Sequence, residues 1–123
     1  MKSNVPKMQN GTARSEEFSY IHKPRTLEAY GKEYTIPVKT VAFSDKLDEI
    51  RAAISESGKT SDTVAAMKEG ITLFIGAEET ERIFPSDKVN EIDVDEILEF
   101  WFALNRELNR SQNELISRYT VKK

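Results

Sequence analysis

The chain is 123 residues long, 38% hydrophobic and 32% charged, with 18 Lys and Arg against 21 Asp and Glu for a net charge of −3. That length holds one core and no second catalytic domain, and the acidic balance has the wrong sign for a surface that neutralises nucleic-acid phosphates. With no cysteine and a single histidine, disulfide frameworks, thiol nucleophiles and the common zinc ligand sets are excluded as well.

Residues 1 to 25 read as a flexible arm. The stretch MKSNVPKMQNGTARSEEFSYIHKP shows neither a two-residue nor a 3.6-residue hydrophobic period. Phe18, Tyr20 and Ile21 are its only concentrated apolar weight, and His22, beside Lys23-Pro24, reads as an exposed loop residue rather than a ligand or base. No apolar run reaches the length of a signal peptide core or a membrane span, so a cytoplasmic location and no membrane partner are expected.

A mainly α (α+β) domain, a small bundle of about four helices with one N-terminal hairpin, is expected over residues 26 to 110, with 111 to 123 as a helical extension or tail. In TLEAYGKEYTIPV, Leu27, Ala29, Tyr34, Ile36 and Val38 alternate with polar neighbours around Gly31-Lys32. With those two residues as the loop, Leu27 would face Ile36 and Ala29 would face Tyr34. Pro37 confines the second strand to an edge or an end there, and so small a sheet has to lie on helices.

Ser44 is the expected cap of a helix over about 45 to 57, with Leu47, Ile50 and Ile54 at helical spacing and Gly58 as its left-handed stop. Thr60, Ser61 and Asp62 offer caps for a second helix whose stripe is Val64, Met67, Ile71 and Phe74, ending at Gly76. AEETERIF then predicts a short helix before Pro85, and PSDKVNE a linker. In IDVDEILEFWFALNRELN, Asp93 is the expected N-cap, Glu96 its reciprocal partner, and Ile92 packs on Ile97. Val94, Ile97, Leu98, Trp101, Leu104 and Leu108 continue as one stripe.

Two patterns suggest chemistry and fail on inspection. Gly58-Lys59-Thr60 is the tail of a phosphate-binding loop, but Ala53 stands where the first glycine belongs, and a helix, not a strand, leads in. Asp93, Asp95, Glu96 and Glu99 are dense enough for a metal, but they lack the glycine and terminal acid of a calcium loop, and capping accounts for their spacing. No catalytic, cofactor or metal residues are therefore assigned, no cofactor is expected, and the chain reads as a non-enzyme.

The last long helix carries the functional signal. A helix covered on one side buries a stripe somewhat over 100° wide, and Phe100 and Phe102 lie on opposite flanks of this one. Either the helix is buried on two sides within its own domain, or the wide face binds another chain or another copy. The candidate partner-binding residues are Phe100, Trp101, Phe102, Leu104 and Leu108, with Ile83 and Phe84 as a second patch. On the binding alternative, polar replacement of Phe100 and Phe102 weakens association more than stability.

The order of these parts resembles a known family. YGKEYTIPVKTVAF, then GAEETERIF, EIDVDEI and FWFALNREL, over about residues 27 to 110, are similar to the small tail assembly chaperones of long-tailed bacteriophages and prophages of Gram-positive bacteria. The resemblance implies a protein of the host cytoplasm, absent from the mature virion, that binds helical segments of the tape-measure protein and keeps that long chain soluble while tail-tube subunits polymerise around it. Members of the family often also occur as a longer frameshifted product, whose site would lie near Val121-Lys122-Lys123. Self-association is a further expectation, and nucleic acid is not. A structural virion component forming a ring, such as a tail-completion or connector subunit, is the alternative use of the same apolar face; a small metal-binding protein or enzyme is the third reading.

Overall fold

The computed structural model describes residues 25–120. The expectations for the arm, with Phe18, Tyr20, Ile21 and His22, and for Val121-Lys122-Lys123 fall outside the described residues. Within them the chain is mostly helical with one N-terminal antiparallel hairpin, the α+β bundle the hydrophobic periods predict.

The hairpin strands are β1 (Thr26–Ala29) and β2 (Lys32–Thr35), with Leu27 opposite Tyr34 and Ala29 opposite Lys32. The turn is thus Tyr30-Gly31 rather than Gly31-Lys32. The type I′ turn, one of the two that follow strand twist, has positive φ at both positions; Gly31 takes φ 77° and Tyr30 accepts φ 52°. Lys32 is spared that conformation and stays in the strand. The register differs from the expected one by two residues, so every side chain keeps its face. Leu27 and Ala29 still share the inward face with Tyr34 and Ile36, and the Ile36 N–H donates to the Arg25 carbonyl at 2.7 Å to extend the pairing.

Helix α1 (Val41–Glu56) starts four residues before the expected point. Thr40, not Ser44, is its cap, the hydroxyl accepting from the Phe43 N–H at 3.1 Å. The early start turns Phe43 onto the ring of Phe74 at 5.4 Å, edge to face. The helix ends at Ser57, whose hydroxyl and N–H both donate to the Ile54 carbonyl. Gly58 is therefore not needed as a left-handed stop and does not act as one.

Helix α2 (Thr60–Ile75) is capped at Lys59 without a side-chain bond. Thr60, Ser61 and Asp62 lie in its first turn instead of before it, where the Asp62 carboxylate faces the positive end of the dipole. Its expected stripe of Val64, Met67, Ile71 and Phe74 is buried. Gly76, with φ 94°, turns the chain into α3 (Ala77–Ile83), and a 3₁₀ segment over Ser86–Glu91 leads to α4 (Val94–Thr120). Asp93 does cap α4, its carboxylate accepting from the N–H groups of Asp95 at 3.0 Å and Glu96 at 3.3 Å. The reciprocal bond is replaced, because the Glu96 carboxylate accepts from the Tyr30 hydroxyl at 2.8 Å. Ile92 and Ile97 both join the core. Helix α4 runs without interruption through the polar stretch Arg110-Ser111-Gln112-Asn113.

Helix α2 is the centre of the bundle, packed against α1, α3 and α4. Its middle residue on the α4 side is Gly70, buried, at a place where glycine is unfavourable in a helix by about 1 kcal/mol relative to alanine. A Cβ there would fall inside the van der Waals envelope of Trp101 Cζ3, 2.7 Å from its Cη2 and 3.1 Å from Cγ2 of Ile50. The glycine lets the indole lie directly on the α2 backbone. Phe74 meets the same indole edge-on at 6.2 Å, so α1, α2 and α4 are joined through the rings of Phe43, Phe74 and Trp101.

Gly70→Ala should lower stability by a net of about 1–2 kcal/mol, overpacking outweighing the roughly 1 kcal/mol gained in helix propensity. Gly58→Ala, where a Cβ meets nothing within 4 Å, should be neutral or stabilise by about 0.4–1 kcal/mol. Urea denaturation of the two variants separates them. A Gly70→Ala protein as stable as the parent would mean that Trp101 has room to shift and does not set the α2–α4 spacing.

Candidate interaction surface

Helix α4 has two unlike faces. Toward the bundle it buries Ile97, Phe100, Trp101, Leu104 and Leu108. Glu107 is also buried on this side, and its carboxylate receives the Arg110 guanidinium at 2.7 Å. Directly opposite, at about 100° per residue, Asp95, Glu99, Phe102, Arg106 and Arg110 fall within roughly 80° of one another. All five are exposed. Phe102 is the anomaly among them, 58% exposed in the middle of an otherwise charged row. Leu98, half-buried, and Val94, exposed, extend its apolar edge toward the N-terminus of the helix.

The seven residues singled out from sequence thus separate. Phe84, Phe100, Trp101, Leu104 and Leu108 are core residues of the chain, Ile83 is half-buried at the margin of that core, and only Phe102 stands in solvent. The structure does not gather them into one exposed surface. Phe100 is enclosed by the hairpin: Tyr30 meets it edge-on at 5.1 Å, Tyr34 lies 6.3 Å away, and Phe84 lies 6.4 Å away. Of the two alternatives for the flanks, burial within the domain holds for Phe100, whereas Phe102 is left open.

Side chains that the sequence reading passed over hold the hairpin there. Glu79 of α3 accepts from Lys32 Nζ at 2.9 Å, Tyr34 hydroxyl at 2.8 Å and Arg82 Nε at 3.0 Å. The Arg82 guanidinium also donates to the Tyr34 hydroxyl at 2.9 Å and to the Tyr30 carbonyl at 3.3 Å. These bonds, Lys32 first, hold the Glu79 carboxyl down from 4.5 to about 2. Burial, followed by the Glu79 bond, raises the Tyr34 phenol. Burial and then Glu96 do the same to Tyr30. A second clamp ties α3 to α2 and the 3₁₀ segment: Glu81 accepts from the Ser86 hydroxyl and N–H and pairs with Lys68 at 2.9 Å, with its carboxyl likewise brought to about 2. The only sequence signal for either clamp was the placing of Glu79, Glu81 and Arg82 on one short helix.

Gly58 and Lys59 lie in the connection between two helices and Thr60 is the first residue of α2, so the tripeptide does not follow a strand. Among the described residues no group of three or more His, Asp or Glu is placed to hold a metal ion, and no helix is long and apolar enough to cross a membrane. The side chains of Glu99 and Arg106 form no ion pair or hydrogen bond with the described residues.

Compared with protein-family models, with curated proteins and with solved structures, the chain matches none.

Two outcomes follow from this geometry. Phe100→Ala should cost about 3–5 kcal/mol by opening a cavity, whereas Phe102→Ser should stay within about 0.5 kcal/mol of the parent; thermal melts decide. For the clamps, a carboxyl depressed from 4.5 to about 2 contributes stability that is fully present above pH 4.5 and lost as pH falls toward 2. Glu79→Gln and Glu81→Gln should each flatten that acid limb, and an unchanged pH profile in both would show that the clamps add nothing to folding.

Proposed function

We propose that this protein is a tail assembly chaperone of a long-tailed phage or prophage, a binding module rather than an enzyme, working in the host cytoplasm and absent from the finished particle. Its client is the tape-measure protein, received as helical segments along the outward face of α4. The observation that carries the reading is the exposure of Phe102, about a third of the way along a 27-residue helix and on the side away from the core. A helix laid along another helix buries its apolar residues at three- and four-residue spacing, and Val94, Leu98 and Phe102 supply such an edge at four-residue steps. The client class comes from the resemblance of the four quoted stretches. The clamps at Glu79 support it further, since they hold the hairpin over Phe100 and leave that ring occupied within the chain.

Co-expression with helical fragments of a tape-measure protein, followed by size-exclusion chromatography with mass determination, tests the assignment. The chaperone should render an insoluble fragment soluble and co-elute with it, and Phe102→Ser should weaken the association at least tenfold, as expected for a central aromatic anchor worth roughly 2 kcal/mol or more. If the protein elutes as a discrete ring while the fragment precipitates, the structural virion role replaces the chaperone.

A further inference from the structure

The outward row of α4 has an order that a solvated face does not require. From the N-terminal end it runs Asp95, Glu99, Phe102, Arg106, Arg110, that is, two acids, one aromatic ring and two bases. The residue numbers of Glu99 and Arg106, and of Asp95 and Arg110, are symmetric about a point between Phe102 and Ala103. Turning the helix end over end about that point places each acid at the level of a base and the two Phe102 residues within one residue, about 1.5 Å along the axis, of one another.

We infer that the free protein pairs with a second copy through this face, α4 against α4 and antiparallel, about a two-fold axis beside Phe102. Such an axis makes the contact isologous, so one set of residues satisfies both sides. Glu99 meets the partner's Arg106, Asp95 meets the partner's Arg110, and the two Phe102 rings cover one another. Like charges stay apart: at about 1.5 Å per residue, the two Glu99 side chains sit roughly 10 Å from each other along the helix axis. A parallel pairing would set acid on acid and base on base, so the charge order selects direction as well as partner. Glu99 and Arg106 are without ion pairs among the described residues. Arg110 gives one nitrogen to Glu107 and keeps about half of its side chain exposed. The row lies directly opposite the buried stripe, with the hairpin tip on one flank, where Tyr30 bonds Glu96, and α1 on the other, where Arg51 bonds Asn105. A single helix-to-helix contact is at the small end of specific interfaces, so the dimer is expected to be reversible and to weaken with salt.

This pairing concerns the same face as the proposed client site but does not depend on what the client is, and its test uses the full chain alone. Sedimentation velocity over a concentration series should show a monomer–dimer equilibrium, with a larger dissociation constant in 500 mM than in 50 mM NaCl. Phe102→Ser, and separately Glu99→Arg and Arg106→Glu, should each raise that constant at least tenfold. Each charge reversal alone sets like charges together. Mixing the Glu99→Arg and Arg106→Glu chains should restore association as a mixed dimer, because each reversed charge then meets an opposite one. A chain that stays monomeric at every concentration, or a dimer indifferent to the reversals and to mixing, overturns the inference. The co-elution experiment with helical fragments remains a separate result in either case.

Discussion

The indole of Trp101 lies on the bare backbone of Gly70, and the arrangement of the bundle follows from that contact. It brings α4 closer to α2 than any side chain at that position would allow, and Phe74 meets the ring edge-on. It also fixes how far α4 is rotated about its own axis. With Trp101 pointing into α2, its successor Phe102 is turned by about 100° toward solvent, and Phe100 is turned by the same angle the other way, under the hairpin. The exposed phenylalanine is thus a consequence of the buried tryptophan. A helix long enough to need only one side covered then presents the other side as a straight, accessible row.

The hairpin fills a different role. Two strands do not hold together alone in water, and this pair is held by what lies beneath it: Tyr30 and Tyr34 bring rings to Phe100, and their hydroxyls reach Glu96 and Glu79. Each tyrosine contributes apolar area and a satisfied hydroxyl in one side chain. That double anchoring accounts for Tyr30 occupying a left-handed turn position that glycine would fill more easily. Far from the hairpin tip, Lys39 donates to Gln112 at 2.7 Å and Arg51 to Asn105 at 2.7 Å, so polar contacts spaced along α4 hold it to the rest of the chain.

Much of this layout was legible in the sequence, and the parts that were not share a cause. The strand faces, the α2 stripe, the short α3, the Asp93 cap and the helical run of α4 all follow from periodicity and local capping, which act within a few residues. The turn position, the start of α1 and the use of Glu96 were settled by partners distant in sequence. Tyr30 has Phe84, Phe100 and Glu96, Phe43 has Phe74, and Glu96 has Tyr30 in place of its own helix end. The role of Gly70 likewise depends on a distant partner, Trp101, which lies on it. For the surface, sequence pointed to α4 but could not tell its two flanks apart, because Phe100 and Phe102 differ only in whether a hairpin or solvent lies over them. The charge order around Phe102 was visible in the sequence throughout, but it takes on meaning only when those five side chains are known to face outward.

The connectivity of the bundle has a consequence for how it is built. Helix α2 packs on α1 before it and α3 after it, each a chain neighbour joined by a short connection, so those contacts close small loops at little entropic cost. The closures that span the chain are of another kind: β1 against α4, Arg25 to Glu114, and Trp101 back to Gly70. Topologies dominated by local contacts fold quickly, so the α1–α2–α3 trio is the fast-forming part and the arrival of α4 is the step that waits. Because α4 follows α2 and α3 in the chain, its stripe is made after the surface that it covers. Until it docks, the α2 groove around Gly70 is open to any helix of suitable shape, including the α4 of a neighbouring copy.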